Sequence, residues 1–189
     1  SDAQLIGVSG FELYASGTLK LNSASDGVTG LALTPRMNWT LATALANDPD
    51  GLLTDLDILA AVALQVTGSA AIDIGNGALV ATVTGVELNL ATMDVTDGTT
   101  TLTGADILSF TGTASLFAGV GGSLNGAHTA VVNGTIGFAV NSVSLSLVSA
   151  TGALTDGANA GDSYVGVSVA LSDAQLIGVS GFELYASGT

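Results

Sequence analysis

Hydrophobic and polar residues alternate along several stretches of the chain. Apolar side chains occupy most odd positions from Phe11 to Leu21, and mostly polar side chains lie between them. The same alternation recurs at 86–90 and at 143–147. Successive side chains of a strand point to opposite faces of the sheet, so each stretch predicts a strand with one buried face and one solvent face. We therefore expect an all-β fold.

Turn signals separate these stretches at fairly regular distances. Asx-Gly pairs favour tight turns, and they occur at 26–27, 50–51, 76–77, 97–98, 125–126, 133–134 and 156–157. The implied structural unit is about 24 residues long. Such a unit fits two elongated repeat architectures, a β-solenoid or a set of stacked antiparallel hairpins.

The stretch from Leu41 to Val66 departs from the alternation because it is rich in Leu and Ala. Both residues favour helices, and Thr54 or Asp55 is a suitable N-cap. One short helix is therefore predicted near 52–61. The alternative is another buried strand, from Ile58 to Val66.

The chain begins and ends with the same eighteen letters, S-D-A-Q-L-I-G-V-S-G-F-E-L-Y-A-S-G-T. Ser1 corresponds to Ser172, so residues 1–171 are predicted to be one full tandem repeat and 172–189 the start of the next. A cloning artefact or a circular permutant is the alternative. In an array, the start of each repeat would cover the edge strand of the previous one. We call the junction between two consecutive repeats the seam. The strands predicted to form it carry Phe11, Leu13, Tyr14, Phe182, Leu184 and Tyr185.

Charge narrows the function classes. The chain has sixteen acidic residues and only two basic residues, Lys20 and Arg36, which gives a net charge of −14. Such a chain repels phosphate backbones and anionic lipid surfaces, so nucleic acid and charged membranes are not expected partners. No membrane span is expected either, because polar residues interrupt every long apolar run. The absence of cysteine removes disulfides and thiol chemistry.

The best candidate for a metal site is N-D-P-D-G with the acids that follow it, namely Asp48, Asp50, Asp55 and Asp57. Calcium prefers several oxygen ligands on a tightly turning loop. Aligned on an EF-hand loop, however, the first ligand position holds Ala46 and no Glu closes the site. Calcium is therefore the one cofactor considered, and an ordinary turn is the alternative reading.

No catalytic constellation is apparent, and we expect that the protein is not an enzyme. His128 is the only histidine, and no G-x-S-x-G elbow accompanies it. It follows Asn125-Gly126, which predicts a turn. Trp39 is either a carbohydrate-stacking side chain or a packing anchor.

The stretches L-I-G-V-S-G-F-E-L-Y-A-S-G-T-L-K-L-N and G-T-I-G-F-A-V-N-S-V-S-L-S-L-V resemble those of giant bacterial β-strand-repeat proteins. The resemblance implies a secreted or cell-surface location and a structural or adhesive role, and it supplies no site residues. The first functional hypothesis is therefore a structural unit of an extracellular fibre, stalk or appendage, whose partners are neighbouring copies of the repeat, joined covalently or by assembly. The alternative is a calcium-dependent adhesin module that binds a glycan or a partner surface.

Overall fold

A computed structural model describes residues 3–4, 10–179 and 185–189 of the chain. Ten strands, one α-helix and one 3-10 turn account for the regular structure of these residues. In chain order they are β1 (Ala3–Gln4), β2 (Phe11–Leu21), α1 (Trp39–Ala42), β3 (Val62–Ile74), β4 (Leu79–Thr96), β5 (Thr101–Val120), β6 (Ser123–Leu124), β7 (Val131–Val132), β8 (Ile136–Thr151), the 3-10 turn Gly157–Asn159, β9 (Ser163–Ile177) and β10 (Tyr185–Gly188).

Eight strands form one antiparallel sheet in the order β1-β2-β3-β4-β5-β8-β9-β10, while β6 and β7 pair separately. The predicted all-β character is confirmed. Neighbours in the sheet are also neighbours in the chain, except where β6 and β7 intervene, so the sheet is a meander of hairpins. No solenoid coil occurs in the described residues.

Two of the seven predicted Asx-Gly turns join long neighbouring strands of the sheet directly, whereas those at 26–27 and 50–51 lie within the long connection from β2 to β3. Asn76 and Gly77 join β3 to β4 with φ of 51° and 86°, a conformation that glycine and asparagine tolerate best. Gly98 joins β4 to β5 with φ of 92°, beside Asp97, whose carboxylate accepts the backbone N–H groups of Thr99 and Thr100. The turn residues therefore determine where these long strands reverse.

The helix predicted near 52–61 was wrong, because the short helix lies earlier, at Trp39–Ala42. The Asp48 carboxylate accepts the backbone N–H groups of Leu52 (3.1 Å) and Leu53 (2.7 Å), which holds that segment in a turn. Further on, the Ile58 carbonyl accepts the N–H of Trp39 at 2.9 Å. These hydrogen bonds override the helix propensity of Leu and Ala. The alternative strand is present only from Val62 onwards, where β3 begins.

Across the middle of the strands, one face of the sheet is apolar and the other, here called the polar face, carries polar side chains. Register places one apolar residue of each long strand in a row across the sheet: Leu19, Val66, Leu88, Phe110, Leu147 and Val167. On the opposite face lies a row of polar side chains, in which Gln65 Nε2 donates to Asn89 Oδ1 at 2.9 Å and Asn89 Nδ2 to Ser109 Oγ at 3.3 Å. The alternation read from the sequence produces these two faces.

Residues 121–135 form an arm that crosses the polar face near one end of the strands. The arm contains the β6–β7 hairpin, which contacts β3, β4 and β5. Phe117 is completely buried there, and a Cβ atom added at Gly122 would collide with its ring. Glycine is thus required where the arm leaves the sheet. No helix within the described residues has the length and apolar character needed to cross a membrane.

Candidate functional site at the sheet edges

The described parts of the two copies of the repeated string lie at opposite edges of the sheet. In the first copy, β1 pairs with β2 so that Ala3 lies opposite Ala15 and Gln4 opposite Tyr14. In the second copy, β9 pairs with β10 so that Ala174 lies opposite Ala186 and Gln175 opposite Tyr185. A shift of 171 residues converts the first set of pairs into the second. In the described residues, identical sequence therefore forms the same two residue pairs at both edges.

The spacing of the two hairpins in the sheet follows from the strand order. β9 and β10 lie six strands along the sheet from β1 and β2. All neighbours are antiparallel, so an even number of steps leaves each strand of the second hairpin running in the same direction as its counterpart. A further six-strand unit could therefore be added at the β10 edge with its strands running in the same directions as those of this one.

The predicted seam residues differ in environment between the copies. Phe11 and Leu13 are half-buried in β2, opposite Ile74 and Ile72 of β3. Phe182 and Leu184 lie outside the described residues. Tyr185 has 71% of its surface exposed. The strand that covers one side of the first copy, β3, has no counterpart at the second copy among the residues described.

The arm reaches the first seam tyrosine. The rings of Tyr14 and His128 are stacked, with centroids 3.6 Å apart and planes 8° apart. His128 occupies the predicted turn with φ of 55°, and Asn125 Oδ1 accepts the N–H of Thr129 at 2.7 Å. Tyr14 also donates from its hydroxyl to Glu12 Oε2 at 3.1 Å. The single histidine therefore holds the arm against the sheet edge, a contact that sequence patterns did not reveal.

The segment between β2 and β3 is organised around Asn22. This buried side chain donates to the carbonyls of Met37 (2.8 Å) and Leu59 (3.3 Å) and accepts Nε1–H of Trp39 at 3.1 Å. Trp39 is half-buried and bonded here, so it acts as a packing anchor within this segment.

The four candidate calcium ligands are engaged separately or exposed. Asp48 is buried and caps the turn described above, while Asp57 Oδ2 forms an ion pair with Lys20 Nζ at 2.9 Å. Asp50 and Asp55 are exposed. Across the described part of the chain, no group of three or more His, Cys, Asp or Glu side chains could hold a metal ion. The geometry gives the calcium hypothesis no support.

Three exposed carboxylates have pKa values below the ordinary value for aspartate. The hydrogen bond and charge of Lys20 lower the pKa of Asp57. Backbone N–H groups of Thr100 and Thr99 lower the pKa of Asp97, and those of Thr29 and Val28, together with the Thr29 hydroxyl, lower that of Asp26. In each case the ionised form receives hydrogen bonds that the protonated form would lose. These shifts belong to turns and to one ion pair, which identifies them as structural.

The buried face predicted for 11–21 was wrong at Leu19 and Leu21, and sequence reasoning did not single out the apolar residues of β9. Leu19 and Leu21 of β2, and Val165, Val167 and Val169 of β9, are all largely exposed. The alternation V-G-V-S-V-A-L from Val165 to Leu171 was a visible signal for an amphipathic strand. Its position at a sheet edge depends on strand order, which the pattern alone does not contain.

Comparisons with protein-family models, with curated proteins and with solved structures found no match to this chain.

Proposed function

We propose that this chain is a structural repeat unit of an extracellular fibre, stalk or surface appendage, in which the sheet of one repeat continues into the next. The observation that carries the proposal is the identical hairpin register at the two edges of the sheet. The second hairpin is the first hairpin of the following repeat. Neighbouring copies of the repeat are thus the partners. The extracellular location rests on the resemblance to bacterial surface repeats.

The number and direction of the strands in each repeat support a sheet that continues from one repeat to the next. Each period adds six antiparallel strands, so every repeat enters and leaves the sheet in the same direction. Neighbouring strands are about 4.8 Å apart, so each repeat advances the sheet by about 29 Å. A continued sheet also removes the unpaired backbone groups that make isolated edges prone to uncontrolled association. The role is mechanical, and no catalytic step belongs to it.

A chain of two full repeats tests this proposal. It is made by following Thr189 with a second copy of residues 19–189, which preserves the period. We expect small-angle scattering to show one elongated particle whose length grows by about 29 Å per added repeat. Thermal unfolding should be one transition, because the two repeats share a sheet.

The matched control is the same two-repeat chain carrying Ala186→Pro. Proline removes a backbone donor within β10 and should separate the chain into two units that tumble independently. If the unsubstituted two-repeat chain already behaves as two independent units, sheet continuation is wrong and the proposal fails.

A further inference from the structure

On its outer side, away from β8, one part of β9 has no neighbouring strand within the described residues. β9 spans Ser163–Ile177, but β10 pairs with it only between Leu171 and Gln175. Along the remaining part, 163–170, Val165 is 67% exposed, Val167 59% and Val169 49%. An edge strand that presents both free backbone groups and apolar side chains is a template for another strand.

The opposite edge of the sheet has a matching gap. β1 pairs with β2 only at Tyr14 and Ala15, so the outer side of 16–21 is without a strand in the part of the chain described. Leu19 and Leu21 in this stretch are 68% and 67% exposed. The inner side of both residues is paired with β3, where Leu19 lies opposite Val66 and Leu21 opposite Leu64.

The existing register determines how these two edges would meet. Gly188 lies opposite Leu171, and Gly188 corresponds to Gly17 in the first copy of the string. An antiparallel ladder continued from that pair places Leu19 opposite Val169 and Leu21 opposite Val167. Apolar residues then face apolar residues, and Lys20 falls opposite the neutral Ser168.

We propose that the β9 edge at 163–170 is the docking surface for β2 of a second copy of this repeat, with Leu19 opposite Val169 and Leu21 opposite Val167. This inference rests on the proposed function and specifies the register of its seam. The same apolar row would then continue through the junction, because Val167 is already paired with Leu147 of β8. In an array the second copy is the next repeat, and with separate chains it is another molecule.

Separate chains can form this seam by exchanging strands. β2 of the second molecule takes the place of β10 of the first, and β9 of the first takes the place of β1 of the second. Five intramolecular pairs are lost, two from β1–β2 and three from β9–β10, and the seam forms three pairs of the same residue types in their place. The pairs formed by Thr18 to Leu21 are additional, and they favour the joined state. The contact is head-to-tail and leaves both outer edges free, so assembly is open-ended.

The chain contains no cysteine, so the register can be tested by crosslinking two single-cysteine variants. Chains carrying Leu19→Cys are mixed with chains carrying Val169→Cys, oxidised mildly and separated without reductant. We expect the mixed disulfide dimer to form at least tenfold faster than in the control mixture of Leu19→Cys and Ser168→Cys. In the control, the second thiol lies on the opposite face of the sheet. Peptide mapping identifies the linked residues.

Unsubstituted chains provide a second measurement. Hydrogen exchange of the backbone amides in 163–170 should slow as the protein concentration rises. This slowing should be greater in 0.5 M salt, because salt screens the repulsion between chains of charge −14. Equal crosslinking in both mixtures together with concentration-independent exchange overturns the proposal. If the two-repeat chain is elongated but the Leu19–Val169 disulfide does not form between separate chains, only this register is rejected. If the two-repeat chain behaves as two independent units, the structural role itself is rejected.

Discussion

The imidazole of His128 is stacked on the phenol ring of Tyr14, with ring centroids 3.6 Å apart. The two residues are 114 positions apart in the chain. This contact joins the tip of the 121–135 arm to β2 at the edge of the sheet. In a continued array, the arm of the next repeat would reach Tyr185 in the same way.

The stack should be measurable as a coupling energy between the two rings. We expect Tyr14→Leu and His128→Asn each to lower the free energy of unfolding, and their effects to be non-additive by about 0.5–1.5 kcal/mol. Asparagine tolerates the positive φ at position 128, so the backbone is preserved while the ring is removed. Chemical denaturation of the two single variants and the double variant measures the coupling. Additive effects would mean that the stack contributes no stability.

Two equivalent glycines of the repeat should respond differently to substitution. Gly17 lies opposite Gly68, and a Cβ atom at Gly17 would collide with the carbonyl oxygen of Thr67. Gly17→Ala should therefore destabilise the chain by about 1–3 kcal/mol, as overpacking does. Gly188 occupies the same place in the second copy, where a Cβ atom has open space.

Gly188→Ala is the matched control and should leave the unfolding midpoint of the single chain unchanged. In a two-repeat chain, we expect Gly188→Ala to become destabilising, because β3 of the next repeat would then lie beside it. Equal effects of the two substitutions in the single chain would contradict the difference in packing between the edges.

The turn at Asp97 should contribute to stability in a pH-dependent way. Hydrogen bonds from the N–H groups of Thr100 and Thr99 lower the pKa of this carboxyl in the folded state. A lowered folded pKa means that the contribution is complete above the ordinary aspartate value, about 3.9, and is lost as the pH falls through the folded value. Asp97→Ala should lower Tm at pH 7, and the difference from wild type should shrink below about pH 4.

Asp97→Asn serves as the control for this titration. Its amide oxygen still accepts both N–H groups but does not ionise, so its Tm at pH 7 should lie between those of the wild type and Asp97→Ala. Thermal melts from pH 7 to pH 2 measure all three proteins. A constant gap between wild type and Asp97→Ala over that range would show that ionisation of Asp97 does not matter.

Calcium should not specifically stabilise the chain. Both carboxylate oxygens of Asp48 accept backbone N–H groups, and Asp57 is paired with Lys20. We expect equal Tm values in millimolar calcium and in millimolar magnesium, which controls for general screening of the acidic chain, and no change when a chelator is added. A rise in Tm with calcium beyond that with magnesium would restore the adhesin alternative.

The sequence by itself determined the all-β class, the turns at 76–77 and 97–98, and the 171-residue spacing of the repeated string. Alternation at 11–21 needs only the two-residue repeat of a strand, and Asn76-Gly77 needs only the local tolerance of positive φ. These are short-range properties, so they survive without knowledge of the fold. The repeated string likewise gave the proposed seam before any geometry was known.

Tertiary structure alone decided the short helix, the arm and the edges. Residues 52–61 do not form the helix that their propensity favours, because the Asp48 carboxylate accepts the N–H groups of Leu52 and Leu53. In addition, the Ile58 carbonyl accepts the N–H of Trp39, which is distant in the sequence. His128 became a packing residue because the arm crosses the sheet to β2. Leu19 and Val169 are exposed because strand order places β2 and β9 near opposite edges of the sheet. Contacts between distant residues depend on how the whole chain is paired, and that information is not present in any one segment.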